Sequence, residues 1–192
     1  LIMGDSISSG VLNSQSPTKA TMKVSDWIEK LSGGKIMTTN IAVGSTAWLS
    51  KQYETAGNPK PNAMEQSTAL WLSDKGVDLA DYDAVLLEWG LNDYESDRTN
   101  PNEVIGTVTD TGTDTVCGAI YTTLEHLYSL NPNITVILEG VPRTRGATGT
   151  FPNYTYWSAL DDAIKGMAEK YHLHYISMSA WGGARNIPVF IP

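Results

Sequence analysis

Three short blocks hold the residues best suited to chemistry: Gly4-Asp5-Ser6-Ile7-Ser8 near the start, an isolated Gly44, and Gly90-Leu91-Asn92-Asp93 in mid-chain. A serine hydroxyl on a turn that leaves a strand and enters a helix is exposed to an incoming carbonyl group, and its own backbone N–H lies near a helix N-terminus. Ser6 follows a short apolar run and occupies such a turn. Acyl transfer through serine also needs hydrogen-bond donors where negative charge develops, and a glycine N–H and an asparagine amide can supply them. Gly44 and Asn92 suit those roles. Taken singly, each residue has a plainer explanation: Gly4 and Gly44 as turn glycines, Ser6 as a helix cap, Asn92 as an Asx-turn residue. Chemistry is favoured because all three blocks stand at successive strand ends.

The elements that must hold these blocks follow from hydrophobic spacing. Val24, Trp27, Ile28 and Leu31 form one apolar stripe, which predicts an amphipathic helix over 23–31 packed on a sheet. A strand over 36–43 is expected after the Gly33-Gly34 break, a helix over 62–74 after Pro59 and Pro61, and a strand buried on both faces over 84–87. Residues 94–115 lack periodicity and read as a long surface loop. Val116, Ile120, Leu124, Leu127 and Tyr128 mark a further helix, stopped by Asn131-Pro132-Asn133 before a strand over 134–138. After a loop over 140–153, Leu160, Ile164, Met167, Ala168 and Tyr171 make the last helical stripe, and 173–178 the last strand. This alternation predicts a single α/β domain over 1–192, a three-layer α/β/α sandwich on a mostly parallel, flavodoxin-like five-stranded sheet. Ligands of such sheets bind beyond the carboxyl ends of the strands, where all three blocks fall.

With the elements placed, the Gly-Asp-Ser, Gly44 and Gly-Leu-Asn-Asp blocks, and the order of strands and helices over most of the chain, resemble the SGNH hydrolases, also called GDSL esterases or lipases. The resemblance implies a serine esterase with Ser6 as nucleophile and with the Ser6 N–H, the Gly44 N–H and the Asn92 side chain as oxyanion hole. It implies no metal and no organic cofactor. The implied substrate is a small acyl ester, such as an acetyl group, on a small molecule or glycan; the acidic, aromatic-rich composition points the same way. Asp5, Trp48, Asp93 and Tyr94 are the candidate substrate-rim residues. Trp48, Tyr94 and Trp181 could stack on a sugar ring, against burial in the core as the commoner place for an aromatic side chain.

The family takes its general base from an Asp-x-x-His block after the last strand, and no such block is present. The only histidines are His126, within a helical stripe, and His172 and His174, which lead into the last strand. Because the chain opens inside a strand and closes at Ile187-Pro188-Val189-Phe190-Ile191-Pro192, near where that block would stand, we expect a domain truncated at both ends. The alternative is a catalytically incomplete carbohydrate-binding module.

Composition removes other classes. Thirteen Lys and Arg against 21 Asp and Glu give a net charge of −8, and no basic patch appears, so nucleic acid is not an expected partner. Apolar runs fall far short of the ~20 residues that cross a bilayer. The single Cys117 supplies neither a disulfide nor a cysteine metal site. Gly4-Asp5 and Asn92-Asp93 alone do not make a two-metal phosphoesterase centre, since the histidines are badly placed for one. The Gly-x-Gly-x-x-Gly fingerprint of dinucleotide binders is absent. Arg143 and Arg145 sit in a Gly- and Thr-rich loop, solvated by default or facing an anionic substrate. The acidic balance, few lysines and many Thr and Asn favour a secreted or surface-displayed protein.

Overall fold

The computed structural model describes residues 1–10, 23–49, 60–94, 104–142 and 154–178. Four parallel strands form the sheet in the order β1 (Ile2–Gly4), β2 (Ala84–Glu88), β3 (Thr135–Glu139), β4 (His174–Ile176). The helices are α1 (Val24–Leu31), α2 (Ala63–Gln66), α3 (Ala69–Asp74), α4 (Leu91–Tyr94), α5 (Val116–Leu130) and α6 (Tyr154–Lys170). The architecture is the expected α/β sandwich, but with four strands rather than five.

The missing strand is the expected one over 36–43. That segment does run beside β1: Ile2 N donates to Thr39 O at 2.8 Å, Ile41 N to Ile2 O at 3.0 Å, and Val43 N to Gly4 O at 2.9 Å. Only one isolated bridge forms, between Ile2 and Asn40. Asn40 breaks the regularity, because its Oδ1 accepts the Ala42 N–H at 3.0 Å and its Nδ2 donates to the Ser8 carbonyl at 2.7 Å. A side chain that binds its own backbone competes with the ladder.

Met3, Val85, Leu87, Val136 and Leu138 point to one face of the sheet, where they join Ile120, Leu124 and Leu127 of α5 and Leu160, Ile164 and Met167 of α6 in the main core. The alternate residues Ile2, Gly4, Leu86, Glu88, Ile137 and Glu139 point to the other face. The chain passes from β1 through α1 to one edge and later from β1's other neighbour through α5 and α6 to the opposite edge. The reversal point lies at the carboxyl end of β1, at Asp5 and Ser6.

Two expectations about helices change. In α1 the apolar stripe does not face the core: Trp27 and Leu31 are 47% and 79% exposed, whereas Ser25 is buried. The helix expected over 62–74 is two helices, since Thr68 Oγ1 accepts the Trp71 N–H at 3.3 Å and starts a new N-terminus. Among the described residues no helix is long and apolar enough to cross a membrane.

Candidate active site

The first corner is the turn after β1. Asp5 extends the ladder, its N–H donating to Glu88 O at 3.1 Å, and its Oδ1 then accepts the Ile7 N–H at 2.8 Å. With the Ser9 N–H on Asp5 O, this winds residues 5–10 into a helical turn that carries Ser6 on its half-buried side. Among the described residues neither the Ser6 hydroxyl nor its N–H has a hydrogen-bond partner, whereas Ser8, two residues on, is fully buried. Ser6 thus holds both a donor and a nucleophilic oxygen that the fold does not use.

The second corner follows 36–43. Gly44 abuts the first turn so closely that a methyl group on it would lie 3.7 Å from Ser6 Cβ. Its carbonyl accepts the Lys60 ammonium at 3.0 Å, and its N–H is unbonded among the described residues. Ser45, at φ 65°, then reverses the chain, and Thr46 Oγ1 ties the corner down by donating to Val43 O at 2.7 Å while accepting the Trp89 indole N–H at 2.9 Å.

The third corner is Gly90 and α4. Gly90 adopts φ 126°, a backbone region that a side chain disfavours, and a methyl group there would meet Val141 Cγ2 at 2.7 Å. Gly90→Ala is therefore expected to destabilise the chain by about 2–4 kcal/mol in urea unfolding, from backbone strain plus overpacking; a change under ~0.5 kcal/mol would show that the corner relaxes freely. The turn brings Asn92 and Asp93, both buried, under the other two corners. Asn92 Nδ2 donates to Thr46 O at 2.6 Å and to Asp5 Oδ2 at 3.3 Å. Asp93 Oδ2 and Oδ1 accept the N–H groups of Trp48 and Leu49 at 2.9 and 3.0 Å.

The structure thus gathers Ser6, Gly44 and Asn92 at one end of the sheet, with Asn92 linking the other two corners through Thr46 and Asp5. It does not place Asp5, Trp48 or Asp93 on a substrate rim, because all three are fully buried. Asp5 accepts the Ile7 N–H and the Asn92 side-chain amide, Asp93 accepts two backbone N–H groups, and Trp48 packs edge-on against Trp89 with ring centroids 5.0 Å apart. Their polarity in the sequence marks corner building rather than contact with a ligand. The side chain of Tyr94, and all of Trp181, Arg143 and Arg145, lie outside the described residues.

None of the three histidines of the chain adjoins Ser6. His126 Nδ1 sits within 3.0 Å of Ser67 Oγ and 3.2 Å of Met64 O, joining α5 to α2. His172 and His174 are exposed at the amino end of β4, three strands from β1 and at the opposite end of the sheet from the corners. Among the described residues, no group of three or more His, Cys, Asp or Glu is placed to hold a metal ion.

Sequence spacing gave no hint of a second feature, a pair of carboxyl groups beneath the first corner. Glu88 and Glu139 close β2 and β3, one step beyond the paired Leu87 and Leu138, and point to the same face. Glu88 Oε2 accepts the Ser8 N–H at 3.2 Å and the Ser8 hydroxyl at 2.8 Å. Burial first, then the charges of Asp5 and Glu139, hold the Glu88 carboxyl well above the usual range, against the opposing pull of the Ser8 bonds. Burial also pushes Glu139 up to about 7.

The sequence matches no protein-family model and no curated protein. Its structure, in contrast, is similar to solved esterases. A carbohydrate acetylesterase family member from Sinorhizobium meliloti shares it with a TM-score of 0.61 at 13% identity, over 93% of this chain and 83% of that one. The esterase AlinE4, solved as a mutant, gives 0.61 at 17% identity over 100% and 82%. A family two carbohydrate esterase from Clostridium thermocellum, an active-site mutant solved with a bound cello-oligosaccharide, gives 0.54 at 16% over 92% and 52%, so the chain spans about half of it. At these identities the likeness establishes architecture alone: a three-layer α/β/α sandwich like that of these esterases.

Proposed function

We propose that this site is the acyl-transfer centre of a serine ester hydrolase, with Ser6 as nucleophile. The observation that carries the reading is the meeting of a Ser6 hydroxyl with two N–H groups, those of Ser6 and Gly44, all three without a partner among the described residues, at the reversal point of a fold shared with esterases. In the reaction, Ser6 Oγ bonds to the ester carbonyl carbon and loses its proton. The carbonyl oxygen becomes an oxyanion facing the two N–H groups, and the alkoxide then leaves with a proton. Water repeats the attack on the acyl-serine and releases the acid. Asn92 Nδ2 would be the third donor, turning toward the oxyanion the hydrogen that now rests on Asp5 at 3.3 Å, the longer of its two bonds. An acetyl ester on a carbohydrate is the substrate class supported by the names of the similar structures, and an extracellular setting suits it.

Hydrolysis of p-nitrophenyl acetate, with Ser6→Ala as control, tests the reading. A second reading, a module that binds its ester or glycan without turning it over, is favoured by one observation: the histidines stand apart from Ser6. Binding of acetylated xylo-oligosaccharides without release of acetate would select it.

A further inference from the structure

The turn that presents Ser6 is held at its side by Asn40, whose Nδ2 donates to the Ser8 carbonyl at 2.7 Å, and from below by Glu88. Glu88 is 1% exposed, and its Oε2 takes both donors of Ser8, the N–H and the hydroxyl. Gly4 makes this contact sterically available, since a methyl group on it would overlap the Glu88 carbonyl oxygen and lie 3.1 Å from Oε2. The bonds join the end of β2 to the middle of the 5–10 turn, across 80 residues of chain. We propose that Glu88 is a positioning residue for Ser6, clamping Ser8 so that the Ser6 hydroxyl and N–H stand where Gly44 can meet them. The proposal rests on the esterase reading for its consequence in activity, and on the clamp alone for its consequence in structure.

The clamp works with Glu88 as a neutral acid. Among the described residues the charged groups that act on it are acidic: Asp5 from the end of β1, in the very turn it clamps, and Glu139 from β3. Both hydrogen bonds fall on Oε2, which places the proton on Oε1, and Oε1 is buried without a partner among the described residues. A buried hydroxyl without a partner costs far less than a buried carboxylate oxygen without one. Ionising Glu88 would put a second negative charge beside Asp5, whose Oδ1 and Oδ2 hold Ile7 and Asn92, and would push the corner apart. For a carboxyl raised in the folded state, stability is full below its unfolded value near 4.5 and is lost as pH rises through the folded one. The turn is therefore expected to loosen on the alkaline side.

The test compares the wild type with Glu88→Gln, which keeps a carbonyl acceptor for Ser8 and cannot ionise, and with Glu88→Ala, which removes the clamp. Two readouts run across pH: hydrogen exchange of the Ser8 amide, and kcat and KM for p-nitrophenyl acetate. Glu88→Ala is expected to expose the Ser8 amide and to lower kcat by about 10²-fold with KM within about twofold, as for a displaced nucleophile. Glu88→Gln should restore Ser8 protection and most of kcat, with the alkaline loss of both abolished. An unchanged Ser8 amide in Glu88→Ala, or the same alkaline loss in Glu88→Gln as in the wild type, overturns the proposal. Ser8 protection that follows the expected pattern in a chain whose hydrolysis survives Ser6→Ala would uphold the clamp and remove Ser6 as the nucleophile.

Discussion

Ser6→Ala is expected to lower the rate of p-nitrophenyl acetate hydrolysis by roughly 10³-fold or more while leaving the unfolding transition in place. The two halves of this expectation come from one observation. Among the described residues the Ser6 hydroxyl bonds to nothing and sits half-buried, so its removal leaves no donor or acceptor stranded. A surface-type substitution of that kind changes stability by about 0.5 kcal/mol at most. The rate falls because neither neighbouring hydroxyl of the same turn replaces it: Ser8 is fully buried and bonded to Glu88, and Ser9 Oγ donates to the Ser6 carbonyl. Ser8→Ala makes the contrast, since it should destabilise the chain by stripping one of the two bonds to a buried carboxyl. Hydrolysis that persists in Ser6→Ala would move the nucleophile elsewhere; a wild type that binds acetylated glycans and releases no acetate would leave the binding module as the function.

The same residues show what a sequence reveals and what it hides. The strands β2 and β3 and the helices α5 and α6 are legible because burial imposes a period on their apolar side chains, and the three corners are legible because Gly, Ser, Asn and Asp gather at strand ends. Asn40 illustrates a first kind of failure: a strand-like run of residues loses its ladder to one amide side chain that binds locally, which periodicity does not register. Asp93 illustrates a second. An aspartate beside an asparagine in a polar corner reads as a rim residue, and only the fold shows that two backbone N–H groups from a segment 44 and 45 residues away consume its carboxylate. Glu88 and Glu139 illustrate a third, because the burial that raises both carboxyls, and the register that sets the Glu139 charge beside Glu88, exist only in the folded chain. The misses at Asp93, Glu88 and Glu139 depend on contacts between distant parts of the chain and the one at Asn40 includes a local side-chain bond, whereas each success depends on a repeated or clustered pattern of residue types.

Asp93→Ala should destabilise the protein by about 2–5 kcal/mol, the largest loss expected from any single polar side chain here. Asp93 is fully buried and its two oxygens each accept a backbone N–H, from Trp48 at 2.9 Å and Leu49 at 3.0 Å. Alanine leaves both donors in a dry place without acceptors and opens a cavity beside the Trp48–Trp89 pair. The damage should also reach the site, because residues 43–49 hold Gly44 against Ser6 and carry the Thr46 carbonyl that receives Asn92. Asp93→Asn separates the terms. Its Oδ1 can keep one N–H while its NH2 group faces the other, so its loss of stability should lie between those of the wild type and alanine. Urea unfolding measures the stabilities, and amide exchange at Trp48 and Leu49 locates the change. Should Asp93→Ala unfold within about 0.5 kcal/mol of the wild type, water would have to satisfy both N–H groups, and the second corner would be held by Thr46 and Lys60 instead.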